Sequence, residues 1–160
     1  MEYGNSKHAQ IAGELFKSGY NCAQSVFLAF SDMYDMDRKT AARISASFGG
    51  GMARLREVCG AVSGMAMAAG MLYGYEEPKD YTGKSEHYAR IQELAKAYEA
   101  ENGSIVCREL LGLSKKREDP TPEKRTEEYY KKRPCEHLVR MAAGILDTYI
   151  EQNPPGNPVK

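Results

Sequence analysis

The sequence predicts an all-α fold, a single-domain bundle of about six to seven helices built around a central glycine- and alanine-rich helix. Three observations carry this. Apolar residues recur at i, i+3, i+4 spacing in nearly every periodic segment. Capping residues open those segments and glycines close them. No stretch shows the period-two alternation of a strand, and no internal repeat is present. The chain of 160 residues is long enough to bury a core without staples. The domain is expected over residues 1–152, with a frayed tail at 153–160.

Asn5 or Ser6 caps a first helix with His8, Ile11, Ala12, Leu15 and Phe16 on one face, ended by Gly19. Asn21 caps a second, with Gln24 three residues on as in a capping box, and Cys22, Val26 and Phe30 aligned. Asp37 opens a third, with Ala41, Ile44 and Phe48 facing inward, stopped by Gly49-Gly50-Gly51. The glycine-rich helix follows from Cys59 and ends near Gly74 and Pro78. Thr82 or Ser85 begins a fifth that runs to Asn102-Gly103, with a stripe of Tyr88, Ile91, Leu94, Ala95 and Tyr98. Ser104 caps a short sixth carrying Cys107, Leu110 and Leu111. From Ser114 to Arg133 charge and proline predict a long surface loop, with at most one helical turn around 123–130. A last helix spans Cys135 to Gln152, with Leu138, Ala142, Ile145 and Tyr149 inward.

Charge and hydropathy exclude several classes. Lys plus Arg and Asp plus Glu each number 22, so the chain lacks the basic footprint of a general nucleic-acid binder. The basic clusters Lys115-Lys116-Arg117 and Lys131-Lys132-Arg133 are interleaved with acids and read as a solvated loop. Val58 to Tyr75 carries no charge and sits at the lower length limit for a membrane span. Its glycine and alanine content and the polar surroundings, at a mean hydropathy of −0.59, make it a buried helix and not a span. The opening residues form no signal-peptide pattern, so a cytoplasmic location is the expectation.

The chemistry lies in four cysteines. No Cys-x-x-Cys pair occurs, so zinc-ribbon, thioredoxin, ferredoxin and c-type haem patterns are missing, and spacing alone is weak evidence for a metal. Placement says more than spacing. Cys22, Cys107 and Cys135 fall in first helical turns and Cys59 opens the uncharged helix. Free N–H groups and the helix dipole favour a thiolate there. Each cysteine also continues an apolar stripe, so all four point inward. The plain alternative is four buried small hydrophobes, since cysteine is among the most buried residue types. If they converge, thiolate sulfurs can ligate zinc or an iron–sulfur cluster at Cys22, Cys59, Cys107 and Cys135. Arg54 and Arg56, just before Cys59, would help offset the negative charge. His137 reads as a polar first-turn residue, with a ligand or base role as the alternative, and His8 and His87 read as ordinary helix residues.

The run from Phe48 through Gly49-Gly50-Gly51 to Cys59-Gly60-Ala61-Val62-Ser63-Gly64, preceded by Tyr20-Asn21-Cys22-Ala23-Gln24, resembles the family of redox-active proteins named for its cysteine motif. That motif is one cysteine, then Cys-Gly-Ala-x-x-Gly, then two more single cysteines. The resemblance covers about Gly19 to Val139. It implies a small helical protein with a redox role assigned mainly from its cysteines. More distantly, the chain resembles the iron–sulfur domain of split-Soret-type cytochromes. Gly60 and Gly64 would let a second backbone pass close to the helix start, and Gly49–Gly51 would let the chain turn beside the thiolates.

Three functions follow. The first is a redox protein whose four cysteines hold an iron–sulfur centre passing single electrons to an unknown partner, with Gly60, Gly64 and Arg56 shaping the cofactor site. The second is metal-free thiol–disulfide chemistry, with Cys59 attacking and Cys22 as its companion, because Arg56 lies near. The third is a non-catalytic module held by structural zinc or by packing alone, whose glycine ladder could also form a homodimer contact.

Overall fold

The computed structural model describes residues 2–114 and 117–156. It is helical throughout: α1 (Lys7–Lys17), α2 (Cys22–Ala29), α3 (Arg38–Ser45), α4 (Gly60–Tyr73), α5 (Tyr81–Asn102), α6 (Cys107–Leu110), α7 (Glu127–Lys132) and α8 (Cys135–Gln152). Short 3-10 turns lie at Tyr3–Asn5 and Ala46–Phe48. An isolated antiparallel bridge joins Val58 to Val106.

The caps work as their chemistry requires. Ser6 accepts the N–H of Ala9 and Asp37 that of Thr40. Asn21 and Gln24 close the full capping box, so two donors at the start of α2 are satisfied reciprocally and Cys22 is fixed as its first residue. Helix α5 starts one residue before Thr82, capped by Asp80 accepting from Gly83, because a carboxylate there takes the orphan N–H more readily than Thr82 or Ser85. Val106, not Ser104, stands at the cap of α6. The Ser104 hydroxyl instead accepts from Val106 and donates to Glu109, tightening the turn before the helix.

Helix α8 packs on α1, α2, α4 and α5, and α4 lies against α2. Phe16, Phe27, Phe30, Met65, Leu94, Tyr98 and Leu146 fill the space between them and are nearly inaccessible. Burying each such side chain contributes about 2 kcal/mol before entropy is counted. Gly64 permits the α2–α4 contact: a Cβ there would stand 2.6 Å from the Ala23 carbonyl oxygen. The glycines at the start of α4 therefore serve a helix contact within the chain.

Two expected core positions are corrected. Ile44 is 48% exposed and Tyr88 is 55% exposed. Helix α3 is short and turns only Ala41 and Ser45 fully inward. In α5 the buried face runs through His87, Leu94 and Tyr98, one residue from the expected start of the stripe. The charge-rich stretch after Ser114 is mostly exposed, as expected of a surface loop, and its one helical turn is α7, capped by Thr126 and lying slightly later than 123–130. Arg125 ties it to the last turn of α1 and to Tyr20 just before α2. Lys115 and Lys116, and the tail residues 157–160, lie outside the described residues. No described helix is long and apolar enough to cross a membrane.

Candidate redox site

Four helix starts meet at one cavity. Cys22, Cys107 and Cys135 are the first residues of α2, α6 and α8, and Cys59 is the cap residue of α4. All four line a cavity of about 70 Å³, with Phe16, Leu110, Leu111 and Leu138 as apolar walls. All four are free thiols, three buried and Cys22 half-buried.

Local backbone explains the pairing of distant cysteines. The Val58–Val106 bridge sets Cys59 beside Cys107: the Cys59 N–H donates to Ile105 O at 2.8 Å and the Cys107 N–H to Glu57 O at 2.6 Å. Gly60 does the same for Cys22, since a Cβ on it would lie 3.0 Å from the Cys22 Cβ. Gly51 does so for Cys107, where an added Cβ would lie 2.7 Å from the Cys107 Cβ.

The segment before Cys59 has an unusual conformation. Gly50, Gly51, Met52, Ala53 and Arg54 have φ values of 70, 65, 69, 51 and 67°, and Arg56 of 58°, a continuous left-handed turn with one residue beyond it. Each non-glycine residue there costs about 1–2 kcal/mol. Such strain persists only where surrounding contacts over-determine it. Here the Arg56 N–H bonds Gly50 O at 3.2 Å and the Glu57 N–H bonds Gly51 O at 2.9 Å. Arg54 donates to Glu118 at 3.2 Å and to the Asp119 carbonyl at 2.8 Å, and Arg56 donates to Glu118 at 2.8 Å. The turn delivers Arg56, 5% exposed, into the site, where its Nη1 lies 3.5 Å from the Cys107 sulfur.

The thiols are not equivalent. Cys22 donates to Cys135, and that bond, helped by burial and by the other cysteines, raises Cys22 well above the ordinary thiol value. The same bond lowers Cys135 against its own burial, with Arg133, Arg125 and Arg56 adding in the same direction. Burial pushes Cys59 up to about 11, opposed by the Tyr98 hydroxyl at 3.4 Å and by the N–H groups of Ala61 and Val62. Burial also raises Cys107, against the hydrogen bond and charge of Arg56.

Thiol sulfurs are soft donors that suit zinc, copper(I) or iron–sulfur clusters. A single tetrahedral ion with bonds of about 2.3 Å needs its sulfurs within about 4 Å of one another. Among the described residues no group of three or more Cys, His, Asp or Glu side chains is set to hold one ion. A cluster spreads its four cysteines over several irons and does not demand that approach.

Of the residues picked from sequence, the four cysteines, Gly60 and Arg56 line the cavity. Gly64 lies outside it, packed on Ala23. His137 is exposed. Residues that sequence reasoning missed at the site are Arg125, Tyr129, Arg133 and Glu118, all from the stretch read as solvated. The signal there was the tyrosine pair Tyr129-Tyr130 beside arginines, too aromatic for a solvated loop. Tyr98 was assigned to the core without its contact to Cys59.

No curated protein and no solved structure matches the chain. A family model described as "Putative redox-active protein (C_GCAxxG_C_C)" matches residues 20–149. With most of its length under that match, and the four cysteines of the motif gathered at one cavity, the chain belongs to this redox-active family.

Proposed function

We propose that the four cysteines hold an iron–sulfur cluster and that the protein is an electron-transfer protein. The observation that supports this is the meeting of four cysteine-bearing helix starts at one cavity. Bound there, a cluster supplies one-electron transfer. Cys22, Cys59, Cys107 and Cys135 would be its ligands. The dipoles of α2, α4 and α8 and the guanidinium of Arg56 offset the negative charge of thiolates at this point. The Tyr98 hydroxyl, 3.4 Å from the Cys59 sulfur, would donate to it once it is a thiolate, and Phe16, Leu110 and Leu138 wall the cavity with hydrocarbon. A reducing compartment such as the cytosol suits this reading, because the thiols must stay reduced to bind.

The test is metal and sulfide analysis of protein purified and reconstituted without oxygen. Iron and sulfide in equal amounts, with visible absorption bleached by dithionite, is the expected result. Colourless, iron-free protein after reconstitution overturns the proposal.

A second reading rests on Cys22 and Cys135 lining one cavity, with Cys135 held below and Cys22 above the ordinary thiol value. In it the Cys135 thiolate, in place of Cys59, attacks a small disulfide. One substrate thiol leaves with a proton and a mixed disulfide forms. The Cys22 sulfur then attacks the Cys135 sulfur, releasing the second thiol and leaving a Cys22–Cys135 disulfide. Redox-buffer titration followed by mass spectrometry should locate that bond with one defined midpoint. Four free thiols in every buffer rule it out.

A further inference from the structure

Outside the cysteine cavity lies a wider chamber of about 260 Å³. Cys135, alone of the four cysteines, lines it. Leu111, Pro122 and Tyr129 give it apolar walls, and Arg54, Arg56, Arg125 and Arg133 face it as well. Glu118 pairs with Arg54 and Arg56, Glu123 pairs with Arg133, and Asp119 lies near enough to Arg54 to feel its charge, so three acids face four cations. Positive charge is therefore in excess on a half-enclosed, apolar surface, where its field is strong.

Arg125 accounts for much of that excess. Its Nη1 and Nη2 donate to the carbonyls of Phe16 and Tyr20, each at 3.1 Å, not to a carboxylate. The guanidinium lies 4.2 Å from the Phe16 ring centroid and 5.0 Å from that of Tyr129. Held on one side by carbonyls and on its faces by rings, it is a fixed cation with little freedom left to lose on binding an anion.

We infer that this chamber binds a small organic anion, a carboxylate on a short or flat apolar body, and presents it to the Cys135 sulfur. The walls match both parts of such a ligand, rings and prolines for the body and arginine for the charge. The inference rests on Cys135 being a working sulfur of the site, and holds whether the cysteines serve a cluster or a disulfide.

The experiment uses the full chain, reduced and metal-free. Alkylation of Cys135 is followed by peptide mapping with iodoacetate, an anion, and with iodoacetamide, its neutral near-twin. The rate ratio at Cys135, divided by the ratio for a free small thiol, should exceed unity by about tenfold at low salt and fall towards one at high salt. Arg54→Met should lower that ratio about threefold and Glu123→Gln should raise it about threefold, so a fold defect in one variant cannot imitate the pattern. Benzoate should protect Cys135 from iodoacetamide saturably, and benzamide should not. A normalised ratio of one at every salt concentration, or benzoate without effect, overturns the inference. So does failure of both reagents to reach Cys135. Iron and sulfide contents, measured separately, decide the electron-transfer reading and leave this ratio unchanged.

Discussion

Helices α2 and α8 each begin at a thiol and run towards a carboxylate, and their two ends obey different rules. At the thiol end, Cys22 and Cys135 face two other cysteines and a ring of arginines whose charge exceeds that of nearby acids. At the other end, Asp32 and Asp147 close on His8, with Nδ1 2.5 Å from Asp147 and Nε2 2.8 Å from Asp32, while Lys7 meets Asp32 at 2.8 Å. The His8 ring stacks on Phe30 with centroids 4.2 Å apart. With the His8 ring protonated, two cations and two anions balance there without help from outside. The histidine end is a staple, because its polar groups are satisfied by the chain itself. The cysteine end holds soft donors, backbone strain and surplus charge, the features on which the proposed function rests.

The largest difference should appear on removing sulfur. Changing any one of Cys22, Cys59, Cys107 or Cys135 to serine is expected to reduce iron content and visible absorbance at least about tenfold. Unfolding of the metal-free variants should shift by no more than about 1 kcal/mol. Retained iron in all four variants would erase the contrast between the two ends.

Strain at the thiol end gives the next effect. Gly51→Ala places a Cβ 2.7 Å from both the Cys107 Cβ and the Glu57 nitrogen, at a φ of 65°. Urea unfolding should show a loss of about 3 kcal/mol. An unchanged midpoint would mean that the left-handed turn is not held in solution.

At the staple, His8→Gln should cost about 2 kcal/mol, since it leaves Asp147 half-satisfied in a mostly buried setting. Burial pulls the His8 value down, but its bonds with Asp147 and Asp32 outweigh that and raise it above the usual 6.5. The stability it adds is therefore fully present below about pH 6.5 and fades as pH rises through the raised native value. Asp32 behaves oppositely. Burial pushes it up, but Lys7 and His8 outweigh that and hold it below the usual 3.8. Its contribution is present above about pH 4 and is lost as pH falls through the lowered value. Unfolding midpoints of wild type and His8→Gln from pH 5 to 9 should converge at the alkaline end. Parallel profiles would show that the ring is not charged in the folded state.

The smallest effect is a gain. Met52, 47% exposed at a φ of 69°, supports little packing, so Met52→Gly should raise stability by about 0.5 kcal/mol. A loss of that size would instead make its side chain part of the site's cover.

Local chemistry made much of this protein legible. Ser6, Asn21 with Gln24, and Asp37 cap helices because a short polar side chain can reach a free N–H only from its own neighbourhood. Cys22, Cys107 and Cys135 fall at helix starts for reasons equally local. Burial was legible only where the stripe was wide: α8 turned the expected face inward, whereas Ile44 and Tyr88 lie outside because packing partners, not periodicity, decide which edge of a stripe is covered.

The rest belongs to the third dimension. That Arg125 crosses to the carbonyls of Phe16 and Tyr20, that Tyr98 reaches the Cys59 sulfur, and that Arg54 and Arg56 share Glu118 are contacts between positions far apart along the chain. No pattern of neighbours encodes them. Amino-acid order by itself settled which residues could start a helix and carry a thiol. Only the folded chain decided that four such starts share one cavity and which charges surround it, because a field depends on distance in space and not on separation in sequence.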